Sequence, residues 1–186
     1  MSWLAKGVAA LVLAMCVAVS PARAQAEFAV GGGVGLPLGD FGDVSNVGWH
    51  GLAAVSFVPT GSPVGIQVDG QFHRFGVDND VVGAVGDNFR FLVGTANAVY
   101  RFQTSEETKF RPYLIGGVGF YNGKVTGDNI NVDSNTDFGI NGGAGFDFNA
   151  GNASLFVEGR FHNIFSDPNN SNFIPITLGV RFGGGR

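Results

Sequence analysis

The chain has 186 residues, 31 of them Gly and 18 Phe, with only three Lys among eleven basic residues and a formal charge of −4. Such a Gly- and Phe-rich, charge-poor composition suits neither a soluble helical domain nor a disordered one. An acidic chain whose bases are not clustered excludes nucleic acid as a partner.

The N-terminus comes first. Lys6 is the only charge before Arg23, and the stretch from Gly7 to Val19 between them is apolar. Ser20 and Pro21 break it. Ala22-Arg23-Ala24 follows, with a second small-x-small option at Ala24-Gln25-Ala26. These are the parts of a cleaved secretory signal peptide, expected over residues 1–24. The apolar run is shorter than the ~20 residues that a spanning helix needs. Cys16 lies inside that run. Leu13-Ala14-Met15-Cys16 only loosely matches a lipoprotein box, because Met15 stands where a small residue belongs. Loss of the leader removes the only cysteine, so no disulfide, zinc-thiolate site or cysteine nucleophile is expected. It also removes Lys6 and Arg23 and takes the formal charge from −4 to −6. Residues 25–186 form one domain by the length prior.

The rest of the chain alternates with period two, the signature of strands. The first strand sets Phe28, Val30, Val34 and Leu36 against Ala29, Gly31, Gly33 and Gly35. The second sets Trp49, Ala53, Val55 and Phe57 against His50, Leu52, Ala54 and Ser56. In the third, Val64, Ile66, Val68 and Phe72 oppose Gln67, Asp69, Gln71 and His73. In the fourth, Leu92, Ala96, Ala98, Tyr100 and Phe102 oppose Thr95, Asn97, Val99 and Arg101. The fifth carries Leu114, Val118 and Phe120 against Tyr113, Gly117, Gly119 and Tyr121. The sixth carries Phe138, Ile140, Ala144, Phe146 and Phe148 against Asn141, Gly143, Gly145 and Asp147. Leu155, Val157 and Phe161 face away from Glu158, Arg160 and His162 in the seventh. Ile174, Ile176, Leu178, Val180 and Phe182 face away from Thr177, Gly179 and Arg181 in the eighth.

The connections alternate in length. Those near Pro37–Val47, Gly76–Asn88, Gly123–Thr136 and Ser166–Asn172 are mostly long. Those at Pro59–Pro63, Gln103–Arg111 and Asn149–Ala153 are shorter. Membrane barrels pair short periplasmic turns with longer outside loops. The expected fold is therefore all-β, an eight-stranded antiparallel up-and-down transmembrane β-barrel with both termini on the periplasmic side.

Alternation alone does not say which face is outside, since a soluble ligand-binding barrel has the same period. Volume decides it. The apolar faces hold about thirty bulky side chains, and an eight-stranded interior is only just wide enough to be filled by side chains. The opposite face mixes Gly with Asp69, Arg101, Asp147, Glu158, Arg160 and Arg181. An Arg at the bilayer midplane would cost ~2–4 kcal/mol, so this face belongs in the lumen. Trp49, Tyr100, Phe102, Tyr113, Phe148 and Phe182 fall near strand ends, where aromatic girdles sit.

With the strands in place, four segments carry a resemblance. Arg111-Pro112-Tyr113-Leu114-Ile115-Gly116-Gly117-Val118-Gly119-Phe120-Tyr121 resembles the fifth strand of the OmpA-like outer-membrane β-barrel domain family. Asn97-Ala98-Val99-Tyr100-Arg101-Phe102 resembles its fourth, and Leu155-Phe156-Val157-Glu158-Gly159-Arg160-Phe161-His162 its seventh. Ile176-Thr177-Leu178-Gly179-Val180-Arg181-Phe182 resembles its closing strand. The resemblance implies an outer-membrane location, contact with outer-membrane lipid and lipopolysaccharide, and recognition of Phe182 by the barrel-assembly machinery. Members of the family often end on that aromatic, whereas Gly183–Arg186 follow it here. No peptidoglycan-binding domain is expected.

Candidate sites are few. Glu158 and Arg160 are two apart on one strand and should face the lumen together. With Asp69, Arg101, Asp147 and Arg181 they form an expected interior charge network, read as a packed polar plug with a narrow ion path as the alternative. His50, His73 and His162 lie on separate strands with none of the usual metal-ligand spacings, so they read as lumen histidines without metal. A His-x-Ser pair, which lipid A deacylases of this size use, is absent, and nothing marks a serine as activated. Gly31–Gly35 lacks the helix and Lys of a phosphate loop. Asp40, Asp43, Asp78, Asp80, Asp87, Asp128, Asp133, Asp137 and Asp167 make the long loops acidic, without a full calcium-loop pattern. The expectation is a monomeric, non-enzymatic outer-membrane barrel without cofactor that supports envelope structure or surface interaction. A narrow porin and a lipid-modifying enzyme are the alternatives.

Overall fold

The computed structural model describes residues 24–78, 88–105, 108, 110–126, 134–167 and 169–183. Residues 1–23, on which the signal-peptide reading and Cys16 fall, lie outside these, as do Asp80, Asp87, Asp128 and Asp133 of the acidic loops.

Eight strands follow in chain order: β1 (Ala24–Leu38), β2 (Gly48–Pro59), β3 (Val64–Gly76), β4 (Asn88–Arg101), β5 (Phe110–Thr126), β6 (Asn135–Ala150), β7 (Ala153–Ile164) and β8 (Ser171–Gly183). Each pairs antiparallel with the next, and β1 pairs antiparallel with β8, so the sheet closes into a barrel. The shortest connection joins β6 to β7 through Gly151-Asn152, where Gly151 takes a φ of +77° that a side chain would strain. Short connections share one rim, here the terminal rim, with the start of β1 and the end of β8. The connections after β1, β3, β5 and β7 share the other, the long-loop rim.

The faces partition as volume and charge require. Phe28, Val30, Trp49, Ile66, Leu92 and Leu178 all expose more than half of their surface on the outside. Large apolar groups left this open in water would be costly, whereas hydrocarbon takes them at no cost. Alternate positions point inward and are buried, among them Gln67, Asp69, Thr95, Asn97, Glu158, Arg160 and Arg181. Tyr113, grouped above with the girdle aromatics, is instead buried inside at 1% exposure, because its parity on β5 is that of Ile115 and Tyr121.

The interior also holds aromatic rings that the alternation analysis left out. Phe75, Phe91 and Phe173 occupy inward positions near the long-loop rim, and Phe156 lies deeper. A wide inward ring can lie over its neighbouring strand where its cross-strand partner lacks a side chain, and Phe156 pairs with Gly179 as Tyr113 pairs with Gly145. A Cβ on Gly179 would lie 2.4 Å from the Phe156 ring, and one on Gly145 would lie 2.4 Å from the Tyr113 ring. Gly70, by contrast, faces outward with nothing within 4 Å.

Two substitutions separate these cases. Gly179→Val overpacks the lumen and should destabilise the barrel by about 1–3 kcal/mol or block folding. Gly70→Ala should leave stability within about 0.5 kcal/mol. Urea titration of the folded barrel in detergent, read by its heat-dependent gel shift, measures both; equal midpoints would contradict the packing account.

Candidate functional site

Three layers of side chains cross the lumen from the long-loop rim to the terminal rim. The first is aromatic. After β1 the chain makes one turn of 3-10 helix at Gly39–Phe41 and folds back over the mouth. Asn46 N donates to Gly76 O at 2.8 Å, Asp78 N donates to Val44 O at 2.9 Å, and the Ser45 hydroxyl donates to Phe41 O. The loop is thus tied to β3 and to itself. Phe41 sits edge-on to Phe75, Phe89 and Phe91 at centroid distances of 5.2, 5.4 and 5.7 Å. Phe173 lies beneath, 5.4 Å from Phe75 and 5.9 Å from Phe91.

The histidines come next. Three strands bring His50, His73 and His162 together under Phe173, although nothing in their sequence spacing links them. His50 and His73 are directly opposite in the β2–β3 register and stack at 5.1 Å. His162 stacks on Phe173 at 4.9 Å and lies 6.1 Å from His73. Each ring nitrogen pair is half satisfied: His50 Nε2 lies 2.9 Å from Thr177 Oγ1, His73 Nε2 2.9 Å from Gln71 Oε1, and His162 Nδ1 2.8 Å from the Tyr121 hydroxyl. Among the described residues, no carboxylate accepts from them directly. Among the described residues, no group of three His, Cys, Asp or Glu side chains is placed to hold a metal ion.

The third layer is ionic and has two parts. In mid-barrel, Arg160 donates through Nη1 to Asp69 at 3.0 Å and through Nη2 and Nε to Glu158 at 2.6 and 2.9 Å. Asp69 also accepts from Gln67, Gln71, Thr95 and Asn97 at 2.7–3.1 Å. Glu158 takes a further bond from the Tyr113 hydroxyl at 2.9 Å. Nearer the terminal rim, Arg181 Nη1 lies 2.7 Å from both oxygens of Asp147. Arg101 Nη2 lies 2.6 Å from Glu27, and its Nε lies 3.8 Å from Asp147. The Arg181 guanidinium lies 5.3 Å from the Tyr113 ring centre and 5.2 Å from that of Phe156, so these two aromatics separate the clusters.

The structure therefore places Asp69, Glu158 and Arg160 in one group and Arg101, Asp147 and Arg181 in another. Sequence reasoning missed Glu27, which completes the second group from the first turns of β1, although its inward parity with Ala29 was readable. It also missed the amide and hydroxyl shell around Asp69. Below the second cluster a cavity of about 830 Å³ opens at the terminal rim, lined by Arg101, Asp147, Arg111 and polar residues of the short turns.

A closed antiparallel barrel with an apolar outside and a polar, charge-paired inside defines a membrane-spanning β-barrel. The chain belongs to the outer membrane protein beta-barrel domain family, which it matches over residues 8–182, and this places it in the outer membrane. No curated protein matches its sequence. Among solved structures it is similar to Neisserial surface protein A, with 18% identity, a TM-score of 0.66, and coverage of 86% of this chain and 97% of that one. It is similar to Ail of Yersinia pestis in complex with the heparin analogue sucrose octasulfate, with 14% identity, a TM-score of 0.59, and coverage of 87% and 99%. The outer membrane protein OprG of Pseudomonas aeruginosa shares 14% identity at a TM-score of 0.56, over 86% and 96% of the two chains. At such identities the likeness is one of fold.

Arg160 holds two buried carboxylates, so its loss strands both. Arg160→Met should destabilise the barrel by about 3–5 kcal/mol. Asp69→Asn and Glu158→Gln, combined with it, should restore part of that loss, because no unpaired charge then stays buried. Urea midpoints of the parent protein, Arg160→Met and the triple variant form the check; a destabilisation below about 1 kcal/mol for Arg160→Met would contradict the pairing.

Proposed function

We propose that this protein is a non-enzymatic outer-membrane barrel whose lumen is closed by its own side chains and which supports envelope structure or surface interaction. The observation that carries this reading is the continuity of the three layers. Aromatic, histidine and ionic side chains follow one another along the axis, and most of their hydrogen-bonding groups are already engaged with one another.

The described histidines support the non-enzymatic reading. All three face the lumen and bond to Thr177, Gln71 and Tyr121, so none is poised beside a serine or an aspartate at the lipid boundary. Catalysis on a lipid would need such a pair within hydrogen-bond reach. Surface interaction falls to the long-loop rim. Ail, similar in fold, is an attachment invasion locus protein, which agrees with such a role. In this reading a cleaved leader at residues 1–24 directs export, and the chain works as a monomer. The barrel-assembly machinery reads Phe182, which stands exposed on β8 opposite Phe28. The cavity at the terminal rim lets water reach Arg101, Asp147 and Arg181.

Single-channel recording in planar bilayers tests the closed lumen. The protein should pass no steady current, while a variant with Phe75, Phe91, Phe173 and Tyr113 replaced by Ser and Arg160, Asp69 and Glu158 by Ala should. Discrete openings of the unaltered protein would instead establish a narrow porin.

A further inference from the structure

Among the described bases, Arg101, Arg160 and Arg181 face the lumen and Arg111 lies at the terminal mouth. The remaining three are Arg74, Arg90 and Lys124, all of outward parity. The register sets them side by side: Arg74 is opposite Arg90, and Arg90 is opposite Lys124, on β3, β4 and β5. Directly opposed residues on one face are about 5 Å apart, so the row spans roughly 10 Å. Arg74 and Arg90 are exposed, Lys124 is half-exposed, and none of the three makes an ion pair among the described residues.

A row of like charges in direct register opposes sheet pairing. Its height makes it intelligible. Along β3 the outward positions run from Val64 through Ile66 and Phe72 to Arg74, and along β4 they run from Arg90 through Leu92 to Tyr100. The cations stand where the apolar belt ends towards the long-loop rim. Trp49, opposite Arg74 and in ring contact with Phe72, marks the same level, as tryptophan does at membrane interfaces. At that level lipid phosphates lie, and a guanidinium pair offers them forked donors.

We propose that Arg74, Arg90 and Lys124 form a docking site for the phosphates of a multiply phosphorylated lipid in the outer leaflet. The site binds headgroup phosphate from the side, while Phe72 and Leu92 beneath it pack on the acyl chains. It rests on the membrane-barrel reading above, with the long-loop rim facing outward.

The test titrates the refolded full chain in zwitterionic detergent with bisphosphorylated lipid A, with the same lipid stripped of phosphate, and with inorganic phosphate. With Trp3 replaced by Phe, Trp49 fluorescence reports binding beside the row. A heat-dependent gel shift of each sample establishes the barrel independently, so loss of the shift overturns the barrel reading and not merely the site. Bisphosphorylated lipid should bind saturably and its affinity should fall with added salt. Arg90→Gln should weaken it by about fivefold and the Arg74→Gln, Arg90→Gln, Lys124→Gln variant by about a hundredfold. Arg111→Gln, at the other rim, should leave it unchanged. The single Arg90→Gln variant decides the matter if the triple one does not fold. Equal binding by Arg90→Gln and the parent protein, equal binding of the stripped lipid, or saturation by inorganic phosphate at similar concentration would each overturn the proposal.

Discussion

The pairing of β1 with β8 is the contact on which the rest depends. Hydrocarbon offers no water to an open strand edge, and each unsatisfied N–H or C=O there costs several kcal/mol. Twelve register pairs from Glu27–Gly183 to Leu38–Asn172 close the last edge. Once the sheet is closed, every strand has one face towards lipid and one towards a confined interior. Period two along the sequence then becomes a radial partition. A shift of one residue in a strand would turn its inward positions to lipid and its outward apolar positions to the lumen, so the register is fixed by side-chain chemistry on both faces at once.

Closure also makes the interior a place of few choices. Charges confined there must find partners, and the barrel brings them from strands far apart in sequence: Arg160 on β7 reaches Asp69 on β3, and Arg101 on β4 reaches Glu27 on β1. Arg160 and Asp69 sit across the lumen, so their bond is a strut as well as a neutralisation. Room for such struts comes from glycine. Phe156 and Tyr113 lie over Gly179 and Gly145 on the adjacent strands, and the Arg181 guanidinium sits beside both rings. The inward glycines thus make room for large side chains in a narrow tube.

What was legible in the sequence follows from this geometry. Strand number, connection lengths, outward faces and the lumen location of six charged residues all derive from parity, which is local. Partner choice is not local. Nothing in the spacing of His50, His73 and His162 says that they share a layer, because strand stagger sets their heights and only the cross-strand register reveals it. The inward phenylalanines were missed for a different reason. Phe75 and Phe91 lie near strand ends, beyond the alternating positions that define the outward faces, so an apolar residue of inward parity there carries no signal of an aromatic layer. Tyr113 shows the converse: proximity to a strand end suggested a girdle, but parity overrode it.

The same radial logic accounts for the unequal use of the chain's bases. An arginine inside can hydrogen-bond on all sides, and Arg160 does so with two carboxylates. An arginine outside has lipid on most sides and is tolerated only near the interface, where the cost of its charge falls to about 0–1 kcal/mol. Arg74, Arg90 and Lys124 occupy that narrow band in direct register on three adjacent strands, while the same register carried the other way, through Trp49, reaches Val34 on β1 and Ile176 on β8. The barrel is therefore chemically asymmetric around its circumference. That outer band sets one side of the barrel apart chemically, just as the charge pairs set its inside apart from its outside.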